Sequence, residues 1–199
     1  MWTEQKLVLA SGNQGKLNEF NVLFQPLGTD VISQAALNIE SPEETGLTFI
    51  ENALLKARHA SEQAKLPALA DDSGLVIPAL NGAPGLYSAR FAGPDATDSD
   101  NLNRLLEELS TFSDLESRRG YYICALALLR HATDPHPVIA IGTWHGRILD
   151  TPRGSGGFGY DPIFLPDAMD LTAAEMDSGL KNQISHRGQA VAELLAQLT

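Results

Sequence analysis

The stretch Lys6–Ala10, "KLVLA", is an apolar run of strand length. It hands over through "SGNQGK" (Ser11–Lys16) to an amphipathic segment, "LNEFNVLF". A buried strand, a glycine turn and a helix in immediate succession commit a chain to α/β architecture, because such a strand needs helices packed on its faces. The helix is expected over Lys16–Phe24, and a second strand at Asp30–Ser33. Thr48 and Glu51 have capping-box spacing. Ile50, Ala53, Leu54 and Ala57 then recur at helical period, predicting a long helix to about Leu66, where Pro67 stops it. "ALAD" reads as a short central strand ending at "DDSG". Leu102, Leu105, Leu106 and Leu109 mark another amphipathic helix. The apolar runs at 121–129 and 138–149 predict two or three long strands joined by tight turns. Ser185 caps a last helix with Val191, Leu194, Leu195 and Leu198 inward. The expectation is an α/β fold with a mixed sheet flanked by helices, in one domain over residues 1–199.

Charge narrows the partners. The formal net charge is −11, and such a surface repels a nucleic-acid backbone, so DNA and RNA are not expected ligands. A small phosphorylated ligand would need locally placed cations and a divalent metal. The single cysteine, Cys124, lies in the apolar run "YYICALALL". It reads as a core residue, and it excludes multi-cysteine metal sites and an internal disulfide framework. "LVLA" is too short for a signal h-region, and the longest apolar run is strand-sized, so a cytosolic chain without a membrane span is expected.

Four segments carry groups suited to chemistry. Ser11, Gly12, Asn13, Gln14, Gly15 and Lys16 form a turn that opens a helix, where free amides and the helix dipole attract anions. Its spelling excludes a Walker A loop: Gly12 and Gly15 are too close, and Leu17 stands where a hydroxyl would hold Mg²⁺. Taken alone, the stretch equally suits a plain strand–helix turn. "ADDSG" places Asp71 and Asp72 at a strand end, and "SPEETG" places Glu43 and Glu44 before the long helix. One acid from each would suit Mg²⁺, which takes one or two carboxylates plus water and phosphate oxygens. "RGSGGFGYDP" contains G-x-G-x-x-G, but Asp161-Pro162 follow instead of a helix, so it is no dinucleotide fingerprint. Its glycines would let backbone approach a ligand, with Phe158 and Tyr160 placed to stack on a flat ring. "KNQISHRG" gathers Lys181, His186 and Arg187, a conspicuous cationic group in an acidic chain.

In this order, "LASGNQGK", "EETGLTFIENALLKA", "ADDSGL", "NGAPGLYSARFAG", "GGFGYDPIF" and "ISHRGQA" resemble the inosine triphosphate pyrophosphatase family over nearly the whole chain. The resemblance implies a two-lobed α/β fold with a long mixed sheet, a homodimer, Mg²⁺ as cofactor, and hydrolysis of ITP, dITP or XTP to nucleoside monophosphate and pyrophosphate. By the same resemblance Ser11–Lys16 would hold the triphosphate. Asp72 would be general base and metal ligand, with Ser73 beside the substrate. Glu43 matches the second metal-binding position, with adjacent Glu44 as the alternative. Lys56 would lie near the phosphates. Phe158, Gly159, Tyr160, Asp161, Lys181, His186 and Arg187 would form the nucleoside side. For the base, Asp161 is expected to accept from N1–H, and His186 or Arg187 to donate to O6. Adenine presents the reverse pattern and would be refused.

Overall fold

The computed structural model describes residues 2–198. Six strands form one mixed sheet in the order β2-β1-β3-β4-β5-β6. They are β1 (Lys6–Leu9), β2 (Asp30–Ser33), β3 (Ala68–Val76), β4 (Arg119–Leu129), β5 (Val138–Ile148) and β6 (Phe164–Pro166). β1 runs parallel to both β2 and β3, whereas β5 and β6 are antiparallel. The helices are α1 (Gln14–Phe24), α2 (Phe49–Ala64), α3 (Asp98–Glu108), α4 (Ser178–Ile184) and α5 (His186–Leu198). Among the described residues, no helix is long and apolar enough to cross a membrane.

Two compact units divide the chain. One comprises Met1–Asp72, Ala125–Ile141 and Ala190–Thr199; the other comprises Ser73–Cys124 and Gly142–Gln189. In the first, α2 packs on β1 through small residues. Ala53, Ala57 and Ala60 meet Val8, Ala68, Ala70, Ala125 and Ala127, all fully buried. Alanine at this spacing brings helix and strand backbones close and leaves the polar side of the helix free to carry Asn52 and Lys56. In the second unit, Leu102, Leu105 and Leu109 of the α3 segment pack with Leu75, Ile77, Trp144, Ile163 and Phe164. That is a conventional large-residue core, and it seats Tyr122 and Tyr160.

Two elements differ from the sequence expectation. α1 begins at Gln14, two residues early, because Asn13 caps it by accepting the Lys16 amide at 3.1 Å. β3 does not end at "DDSG" but continues through Val76. Acids inside a strand between two other strands are tolerated only when paired, and both are paired here: Asp71 with Lys16 at 2.6 Å, Asp72 with Lys56 at 2.8 Å.

The turn between β4 and β5 is built on Asp134, only 4% exposed. Its two carboxylate oxygens accept separate backbone amides, from Arg130 and His136, each at 2.9 Å. Arg58 of α2 clasps the same turn by donating to the carbonyl of Ala132 at 2.6 Å. Burial pushes the Asp134 carboxyl up, but the two amides outweigh it and its pKa lies below the ordinary value. A lowered folded-state pKa gives stability that is present above the unfolded value and lost as pH falls through the folded one. Asp134→Asn keeps one acceptor and turns an N–H₂ against the second amide. It should cost about 1–3 kcal/mol near neutrality, and the gap in urea midpoint between the two proteins should close as pH drops below about 4.

Candidate functional site

The first unit concentrates charge around the middle of β3. Consecutive strand residues point to opposite faces, and accordingly Asp71 and Asp72 have different partners. Lys16, from the first turn of α1, reaches Asp71, whose side chain is 2% exposed. Lys56, from the middle of α2, donates at 2.8 Å both to Asp72 Oδ1 and to Glu44 Oε1. Asn52, one turn earlier on α2, donates to Asp72 Oδ2 at 3.3 Å and accepts the Gly46 amide at 2.8 Å. Glu51 accepts from the Leu47 amide and the Thr48 hydroxyl, both at 2.9 Å. The start of α2 thus shapes the loop that delivers Glu44. The capping box expected there is modified: Glu51 reaches the amide of Leu47, one residue before the cap.

Of the two adjacent acids, Glu44 enters this cluster. Glu43 is exposed and makes no hydrogen bond or ion pair among the described residues. Of the two acids weighed from the sequence as partners of Asp72, Glu44 is the one whose side chain shares Lys56 with it. Burial raises the Asp72 pKa and Glu44 adds to it, with Lys56 and Asn52 offsetting only part, so the carboxyl lies above its ordinary value. Burial pushes Lys56 down, but Asp72 and Glu44 outweigh it and the ammonium is held more tightly than usual. Two hard oxygen donors on either side of one ammonium could hold a magnesium-type ion completed by water and phosphate. No group of three or more His, Cys, Asp or Glu suited to a metal occurs among the described residues.

In the "SGNQGK" turn, Ser11 Oγ accepts the Asn13 amide at 3.1 Å, and Asn13 Oδ1 accepts that of Lys16. The amides of Gly12, Gln14 and Gly15 make no hydrogen bond among the described residues. They remain at a helix N-terminus, where an anion is favoured.

The second unit holds a cavity of about 140 Å³. This is well under the roughly 300–1,000 Å³ of whole-ligand pockets, and is on the scale of one ring system. Ser73, Ser88, Asp98, Tyr122, Phe158, Gly159, Tyr160, His186 and Arg187 line it. Tyr122 stacks on His186 with ring centroids 4.8 Å apart. Tyr160 donates its hydroxyl to the Ser88 carbonyl at 2.8 Å, and burial, then Asp98, push its pKa far up. Phe158 is 55% exposed, with Lys181 Nζ 4.9 Å and Arg187 Cζ 5.8 Å from its ring centroid. Ser73 Oγ and Arg187 Nε are buried and have no hydrogen-bond partner among the described residues. Buried polar atoms without partners are costly, and these two border the cavity.

Asp161 is 2% exposed. Its Oδ2 accepts from Lys181 and from the Phe158 amide, the latter at 2.8 Å. Burial, and then the Asp161 charge, push the Tyr122 hydroxyl's pKa up. With these bonds Asp161 ties the Phe158 loop to α4. Gly157 explains the close approach. It sits at φ +74°, and a Cβ there would stand 2.1 Å from Asp161 Oδ2. The glycine accommodates the protein's own carboxylate. Lys181 lies in α4, separated from His186 and Arg187 by a helix break at Ser185, whose hydroxyl accepts the Gly188 amide at 3.3 Å. Sequence reasoning missed Asn52, a buried polar residue one turn before Lys56 on α2; its spacing of four from Lys56 was the available signal. It also missed Ser88 and Asp98, which carry no local signal.

The fold is α/β; the first unit offers amides and cations that could meet phosphate, and the second a cavity that could take a flat ring. The chain belongs to the Ham1 family, whose model matches residues 7–197. It is 56% identical to the dITP/XTP pyrophosphatase of Halorhodospira halophila over 96% of this chain and 95% of that one. To the dITP/XTP pyrophosphatase of Escherichia coli it is 53% identical, with 98% of each chain covered. A Ham1 protein structure from Coxiella burnetii superposes with TM-score 0.93 at 49% identity, covering 97% of this chain and 98% of that one.

Gly157→Ala should combine the strain of a left-handed backbone with a clash against Asp161. We expect a loss of about 1–3 kcal/mol in thermal unfolding, with the near-ultraviolet signal of the aromatic loop altered.

Proposed function

We propose that the protein hydrolyses the non-standard purine nucleoside triphosphates ITP, dITP and XTP to nucleoside monophosphate and pyrophosphate, clearing them from the pool available to nucleic-acid synthesis. The observation that carries this reading is the Lys56 clamp on Glu44 and Asp72 in a chain more than half identical, end to end, to dITP/XTP pyrophosphatases. The free amides of the "SGNQGK" turn, with Lys16, bind the phosphates. Glu44 and Asp72 would hold Mg²⁺, the proposed cofactor. When bound, the ion would neutralise phosphate charge and acidify a coordinated water. Asp72 would accept the proton of the attacking water, with Lys56 and Asn52 orienting its carboxylate.

The cavity of the second unit takes the base. Arg187 and His186 present N–H donors there, and Phe158 supplies the stacking face. A 6-oxo group accepts from these donors, whereas the 6-amino group of adenine would set donor against donor, leaving buried groups unpaired. Mismatches of that kind discriminate strongly.

The test is a rate panel with pyrophosphate release as readout. ITP, dITP and XTP should turn over in the presence of Mg²⁺, with ATP and GTP much slower. Asp72→Asn should lower kcat by about 10²–10⁴-fold with circular dichroism unchanged. Retained turnover in that variant would remove Asp72 from its role. Separately, Glu44→Gln should raise the Mg²⁺ concentration for half-activation by about tenfold or more. Glu43→Gln should leave it unmoved. The opposite ranking would restore Glu43.

A further inference from the structure

The N-terminus of α3 carries one acid more than its cap requires. Thr97 Oγ1 accepts the Asp100 amide at 3.2 Å, and Asp100 Oδ2 accepts the Thr97 amide at 2.9 Å, so the capping box is complete without Asp98. Asp98 instead spans 61 residues of sequence, and its Oδ2 accepts the Gly159 amide at 2.7 Å. The preceding amide, that of Phe158, is held by Asp161. Two consecutive amides at the loop tip are thus gripped by two carboxylates of different character. Asp161 is buried and fixed by Lys181. Asp98 is exposed and acts through a single bond. Gly159 sits at φ +59° with no atom near its missing Cβ, so the tip has room to turn there. The residue between the two grips, Phe158, is the exposed aromatic wall that faces Lys181 and Arg187.

We infer that Asp98 is a positioning residue: it latches the Gly159 amide and so presets Phe158 as the stacking wall of the base cavity. The inference rests on the cavity being a base site. Among the described residues Asp98 makes no bond to Lys16, Lys56 or Asp72, so its loss acts on binding and leaves the hydrolytic step intact.

The experiment has two independent readouts, in Asp98→Ala and Asp98→Asn. Hydrogen exchange at the Gly159 amide, followed by NMR without nucleotide, should quicken by about tenfold in the alanine variant. It should return close to the starting value in the asparagine variant, whose Oδ1 still accepts. KM for ITP should rise by about 3–10-fold in Asp98→Ala, as for loss of one exposed bond, with kcat held and with rescue in Asp98→Asn. In a Phe158→Ala background the same substitution should add nothing. Unchanged Gly159 exchange overturns the latch. A KM penalty that persists in full without Phe158 also overturns it, because Asp98 would then act on substrate directly. So does an asparagine variant as impaired and as thermally unstable as alanine. Absence of pyrophosphate release from ITP by the unsubstituted protein overturns the functional reading instead, and amide exchange then decides the latch alone.

Discussion

Asp72 lies in the middle of an interior strand, and the arrangement of the first unit follows from what that position demands. A carboxylate there is largely removed from water and must be met by a cation or give up its charge. Lys56 meets it, but Lys56 is itself half-buried and is shared with Glu44. Sharing has a direct consequence. Burial raises the Asp72 pKa, and the second acid on the same ammonium adds to it. The neighbouring Asp71 is met by a different lysine, Lys16, from a different helix. Consecutive residues of one strand thus draw cations from α1 and α2, and only at Asp72 do the ion pairs show the lysine divided with a second acid.

Helix α2 makes this affordable. Its apolar side is alanine, which brings the helix close to β1 and lets Asn52 and Lys56 reach the strand without long, mobile excursions. Asn52 then ties three things at once: the Asp72 carboxylate, the loop amide of Gly46 and the body of the helix. Leucine in place of those alanines would enlarge the core and carry the polar side away from the strand. Packing, in this sense, sets the electrostatics.

The architecture was legible from hydrophobic period and turn chemistry. Strand lengths, the Thr48 cap and the leucine stripe of α3 follow local rules. What escaped is what depends on partners far away in sequence. β3 was cut short at "DDSG" because two acids read as a strand end; only Lys16 and Lys56, on helices formed earlier in the chain, allow them inside it. Glu43 and Glu44 are indistinguishable by composition, and the direction of a loop separates them. Asp161 was read as a base contact from the family resemblance and from the match of a carboxylate to N1–H. That it also pairs with Lys181, 20 positions away, has no local signal. The resemblance of ordered motifs pointed to candidate residues; the structure adds which of these bond to one another.

That distinction is the general lesson of the second unit. A cavity for one ring system needs a few donors and a stacking surface, yet its rim carries more charged groups than one base can engage. The surplus is internal: Asp161 and Lys181 pair with each other, Tyr160 spends its hydroxyl on Ser88, and Asp98 holds a backbone amide. Each of these bonds fixes a neighbour's orientation before any ligand arrives. A preset wall lowers the ordering cost of binding, and it also fixes which polar atoms remain unpaired. Ser73 Oγ and Arg187 Nε stay buried at the cavity with no hydrogen-bond partner among the described residues. On the proposed reading, a ligand that accepts hydrogen bonds would meet these atoms while the neighbouring polar groups stay engaged with one another.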